Sequence, residues 1–67
     1  MTIHNSLKQY RIEKNLTQEE LAAAVGVSRQ TIIAMEKGNY TPSLLLALQL
    51  ANHFNVRVDQ VFKLQLD

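Results

Sequence analysis

Residues 17–32 constrain the fold more than any other stretch of the chain, because they demand two short helices with almost nothing between them. Thr17 and Glu20 have the spacing of a capping box, in which each side chain takes an orphan backbone N–H at a helix start. Leu21, Ala22 and Val25 then recur at helical spacing and form an apolar stripe. Gly26 follows, the residue that most readily takes the left-handed conformation of a helix C-terminus. Two residues later Ser28 is a favoured N-cap for the next helix. So short a link, Gly26-Val27-Ser28, sets the two helices at a steep angle, and the small Ala22 lets them approach closely. With Val27 and Ile32 anchored inward, the first turn of the second helix projects Arg29, Gln30 and Thr31 away from the core. In a helix-turn-helix unit those N-terminal residues enter the major groove of DNA.

The flanking sequence is also helical. Residues 6–14 predict a first helix, with Leu7, Tyr10 and the stem of Lys14 on one face. The helix that starts after Ser28 is expected over 29–37, with Ile32 and Met35 inward and Gly38 ending it. A fourth helix is predicted over 42–54, capped by Thr41, with Pro42 in the first turn, where its missing N–H costs nothing. Its inner face would carry Leu44, Ala47, Leu50, Ala51 and Phe54, and Asn55 is a left-handed terminator. Asp59 is read as the start of one short turn over 59–62. Met1 and Ile3 at one end, and Phe62 to Leu66 at the other, alternate apolar and polar, which predicts a two-stranded antiparallel ribbon joining the chain ends. The expectation is a mostly α, five-helix domain over residues 1–67, with the helix-turn-helix at about 18–37.

The blocks Thr17 to Ala22, Val25 to Ser28, Thr31-Ile32 and Glu36 to Gly38 together resemble the helix-turn-helix of the lambdoid phage repressor and Cro family, also called the xenobiotic-response-element type. Pro42-Ser43-Leu44 and Val58 to Phe62 match as well, so the resemblance runs from about residue 5 to residue 62, and the length is that of the family's small stand-alone repressors. It implies that Gln18 contacts a phosphate at the start of the second helix. It also implies that Arg29, Gln30, Ile33, Ala34 and Lys37 face the groove or its walls, and that Asn39, Tyr40 and Thr41 lie along the phosphates. Ser28 and Thr31 belong to the same DNA-facing turn. The resemblance further implies an ion pair between Arg11 on the first helix and Glu36 at the end of the third.

Chemistry independently fits several of these roles. Arg can donate two hydrogen bonds to guanine and Gln can pair with adenine, each worth roughly 1–3 kcal/mol against the wrong base. Ile33, next to the inward Ile32, is expected to be exposed and suits contact with a thymine methyl, although single exposed aliphatics are also ordinary. Lys37 fits a phosphate contact or a charge complementing the helix C-terminus. Tyr40 fits a phosphate contact or loop packing.

Composition narrows the alternatives. The 67 residues carry a net charge of +1, so DNA affinity must come from where charges sit and not from bulk charge. Cys is absent, which excludes disulfides and thiolate metal sites, and His4 and His53 have no ligand pattern around them. No nucleophile-and-base constellation is present, so no catalytic residue, cofactor or small-molecule ligand is expected. The first residues lack a secretory signal and no apolar run is long enough for a membrane, so a cytoplasmic protein is expected. A small chain without disulfides gains stability from a partner. Its fourth helix has more leucines than one face can bury. Leu45, Leu48, Val56, Val58, Phe62, Leu64 and Leu66 are therefore read as a homodimer surface within about 44–66. The resulting expectation is a dimeric regulator of an operator in double-stranded DNA, with an antitoxin-type protein-binding module as the alternative.

Overall fold

Each helix begins where its unpaired backbone N–H groups find a partner, and these starts set the architecture. In the computed structural model, which describes residues 1–66, the order is β1 (Thr2–Asn5), α1 (Leu7–Glu13), α2 (Gln18–Val25), α3 (Arg29–Glu36), α4 (Leu44–His53), α5 (Val58–Val61) and β2 (Phe62–Gln65). At α2 the Glu20 N–H donates to Thr17 Oγ1 at 3.0 Å and the Thr17 N–H donates to Glu20 Oε1 at 2.8 Å, closing the capping box. Gly26 ends α2 at φ 75°, a left-handed conformation that costs glycine nothing. At α3 the Thr31 N–H donates to Ser28 Oγ at 3.2 Å. Two asparagines, Asn15 and Asn55, take the left-handed conformation that ends α1 and α4.

The five helices close around Leu7, Leu21, Ile32, Met35, Leu50 and Val61, all essentially inaccessible, with Ala22, Leu46, Ala51 and Phe54 completing the cluster. Burying each large aliphatic contributes about 1.5–3 kcal/mol. Tyr10 of α1 stacks at a tilt on Phe54 with ring centroids 5.7 Å apart, tying the first helix to the end of the fourth. The chain ends pair as an antiparallel ribbon in the register Thr2↔Gln65, Ile3↔Leu64, His4↔Lys63 and Asn5↔Phe62. Asn5 fixes that ribbon to the helices. Its Nδ2 donates to the Met35 carbonyl at 2.9 Å, and its Oδ1 accepts from the Leu7 N–H at 3.1 Å.

The structure corrects four details of the sequence reading. α4 starts at Leu44 and not at Pro42, because Ser43 and not Thr41 is the cap, its Oγ accepting from the Leu46 N–H at 3.1 Å. Leu44 is consequently 73% exposed on the first turn, and Leu46 occupies the inner face with Ala47, Leu50 and Ala51. α5 starts one residue early, with the Arg57 N–H donating to Gln60 Oε1 at 2.8 Å and Asp59 inside the helix. Lys14 lies past the end of α1, where the chain already turns toward Asn15, and it is exposed.

Candidate nucleic-acid interface

α2 and α3 pack directly on each other through Leu21, Ala22 and Ile32, and the capped start of α3 stands at the surface. Arg29 and Gln30 on that first turn are exposed. Ser28 is exposed too, but its hydroxyl is engaged twice, by the Thr31 N–H and by Thr31 Oγ1 at 3.1 Å. Thr31 is half-buried by the same contacts. Further along, Ile33 and Ala34 are half-buried, while Lys37, Asn39, Tyr40 and Thr41 are exposed. Ile33 is thus less open than its sequence neighbours suggested. At helical spacing it lies between Arg29 and Lys37 on the same face of α3. After Gly38 the chain folds back, with the Asn39 N–H donating to the Ala34 carbonyl at 2.9 Å, which holds the 39–41 loop against the end of α3.

Beneath this surface lies one ionic network. Arg11 Nε meets Glu36 Oε2 at 2.6 Å and Arg11 Nη2 meets Glu36 Oε1 at 3.1 Å, the two-pronged geometry a guanidinium favours. Arg11 Nη1 also donates to the Leu16 carbonyl at 2.9 Å. The side chains are only 11% and 5% exposed, so the pair is largely desolvated. Burial pushes the Glu36 carboxyl up, but hydrogen bonds from Arg11 and Gln18, with the charges of Arg11 and Lys8, hold it below the usual glutamate range. The hydrogen bond to Glu36 raises Arg11, so both groups stay charged.

Gln18 joins the network from the first turn of α2, its Nε2 donating to Glu36 Oε1 at 3.0 Å. One N–H of that amide and its carbonyl remain for another partner. Beside it opens a shallow concavity of about 540 Å³ lined by Lys8, Arg11, Thr17, Gln18, Glu19 and Arg29. Sequence reasoning had no role for Lys8. The signal was its position three residues before Arg11, on the same face of α1.

On the opposite stripe of α4, Leu44, Leu45 and Leu48 are exposed, as are Leu64 and Leu66. Val56, Val58 and Phe62 differ from that group. They are half-buried and pack against the protein's own core, which uses much of the surface the sequence reading assigned to a partner. Among the described residues no group of His, Cys, Asp and Glu could hold a metal ion, and no helix is long and apolar enough to cross a membrane.

A capped, tightly linked helix pair with an exposed polar turn defines a helix-turn-helix protein of the DNA-binding type. A helix-turn-helix family model matches residues 7–61, and the chain belongs to that Cro/C1-type family of transcriptional regulators. It is 59% identical over 58 residues to an uncharacterized HTH-type transcriptional regulator of Methanocaldococcus jannaschii, covering 87% of this chain and 88% of that protein. More distant relatives act in both directions. The cryptic phage CTXphi transcriptional repressor RstR of Vibrio cholerae is 33% identical over 85% of this chain and 51% of its own length. The HTH-type transcriptional activator BcrR of Enterococcus faecalis is 36% identical over 91% of this chain and 30% of its own length. Among solved structures, the restriction-modification controller protein C.AhdI of Aeromonas hydrophila superposes with a TM-score of 0.74 at 31% identity, covering 81% of this chain and 82% of that one.

Proposed function

We propose that this protein is a homodimeric transcriptional repressor that binds a two-fold symmetric operator with α3 of each protomer in the major groove. The observation that carries the reading is the exposed Arg29-Gln30 pair on the first turn of a helix whose start is fixed by Ser28 and whose base is buried at Ile32 and Met35. Two donors on a rigid helix start can read guanine and adenine edges, while Lys37, Asn39, Tyr40 and Thr41 follow the phosphates. Ile33 and Ala34 add apolar contact at the groove floor. The repressor sign rests on likeness to RstR.

Dimerisation follows from two considerations. One helix-turn-helix reads too few base pairs for useful specificity, and two copies about 34–36 Å apart read two half-sites on one DNA face. The leucines at 44, 45, 48, 64 and 66 form an exposed apolar surface that a second copy would cover. Selection of bound duplexes from random DNA tests the proposal. The expected outcome is an inverted repeat with half-site centres one helical turn apart. Enrichment of a single asymmetric site, or none, rejects it.

A further inference from the structure

The concavity between α1 and the start of α2 assigns a role to Lys8. Its rim carries three cations, Lys8, Arg11 and Arg29, against one exposed carboxylate, Glu19. Arg11 is already committed to Glu36 and to the Leu16 carbonyl. Lys8 and Arg29 form no ion pair among the described residues, and Lys8 is exposed. Gln18, facing the same hollow, still has one amide N–H to give after bonding Glu36. Arg11 neutralises most of the Glu36 charge, which Lys8 feels only at longer range, so the hollow offers an anion the Lys8 ammonium and a fixed neutral donor, with Arg29 adding to the positive field. Glu19 on the same rim opposes this, but it is exposed and outnumbered, so its repulsion is screened.

We propose that Lys8 holds a DNA backbone phosphate in this concavity, beside the phosphate contact of Gln18, and so extends the footprint from α3 onto α1. The inference rests on the DNA-binding reading above. Its chemistry is a phosphodiester in a duplex, recognised as a point charge and without sequence preference, because an ammonium has no bidentate geometry to read a base.

The test uses the whole protein and a duplex obtained by selection. Affinity of wild type, Lys8→Gln and Lys8→Arg is measured between 50 and 200 mM salt, on that duplex and on random DNA. Each lost phosphate contact lowers the salt slope by about 0.9, and the homodimer loses two, so the advantage of wild type over Lys8→Gln shrinks about 12-fold across this range. Lys8→Gln is expected to lose equally on both duplexes, and Lys8→Arg to restore the slope. A duplex with one neutral methylphosphonate, walked along the flank of the half-site, should weaken wild type at several positions and leave Lys8→Gln indifferent at one of them. The role is overturned if Lys8→Gln keeps the wild-type slope or loses affinity only on the selected site. If wild type itself binds no duplex in a salt-dependent way, the DNA-binding reading fails and this inference fails with it. Thermal unfolding of the variant guards against misfolding, which the exposure of Lys8 makes unexpected.

Discussion

Removing Arg11 should be the most damaging single change outside the apolar core. Arg11→Ala deletes two hydrogen bonds to Glu36 and one to the Leu16 carbonyl. It leaves a carboxylate that is 5% exposed with the Gln18 amide as its remaining hydrogen-bond donor. Breaking a largely desolvated pair in this way costs up to about 3–5 kcal/mol, since the stranded charge loses its partner. For a domain of this size each kcal/mol moves Tm by about 4–8 °C, so even 3 kcal/mol is a fall of about 12–24 °C. Glu36→Ala should cost less, about 1.5–3 kcal/mol, because Arg11 keeps the Leu16 carbonyl and its long stem can carry the charge toward solvent. Urea or thermal unfolding by circular dichroism, at one protein concentration, gives the double-mutant cycle. The expected coupling is about 2 kcal/mol, in the upper part of the range for residues in direct contact. A coupling below about 0.5 kcal/mol would refute the argument, since the two side chains would then be contributing independently. Arg11→Met with Glu36→Leu should cost less than Arg11→Ala alone, because an apolar pair strands no charge and only the Leu16 carbonyl and the Gln18 amide lose a partner.

Acid should expose the same pair. Glu36 is held below the usual glutamate range in the fold, so its stabilisation is complete above that range and fades as pH falls through the lowered value. Wild type should therefore exceed Glu36→Gln in stability at neutral pH and lose that margin on acidification, and a margin unchanged down to pH 2 contradicts this. Arg29→Ala should reduce binding to the selected duplex by roughly 1–3 kcal/mol while sparing random DNA, and equal losses on both would make Arg29 a phosphate contact. Gln18→Ala should weaken both duplexes alike and also lower Tm slightly, because Glu36 loses a donor. At micromolar concentration the protein should sediment at twice the mass of one chain, and Leu45→Lys with Leu64→Lys should bring it to one. Wild type running as a single chain rejects the dimer.

What could be read from the sequence divides along a physical line. Thr17 with Glu20, Gly26 and Ser28 were legible because a cap is settled within four residues by local chemistry. The start of α4 was not, because Thr41 and Ser43 are both competent hydroxyl caps two residues apart. The choice belongs to tertiary packing. Starting at Ser43 places Leu46 and Leu50 together in the core, while Leu44 turns to solvent. The ribbon was legible from alternation, but Asn5, which ties it to Met35 thirty residues away, carried no local signal. The candidate DNA face shows the same division. Arg29 and Gln30 follow from their place after a cap. The bond from Gln18 to Glu36 spans eighteen residues, and the concavity beside Lys8 exists only once α1 and α2 are packed. These long-range links give the face its rigidity. Glu36 receives Arg11 from α1 and Gln18 from α2 while sitting at the end of α3, so one carboxylate fixes three helices relative to one another. If Gln18 is the phosphate contact proposed above, its amide, held by that carboxylate, is already oriented before DNA arrives, and the ordering cost that binding would otherwise incur is met by folding.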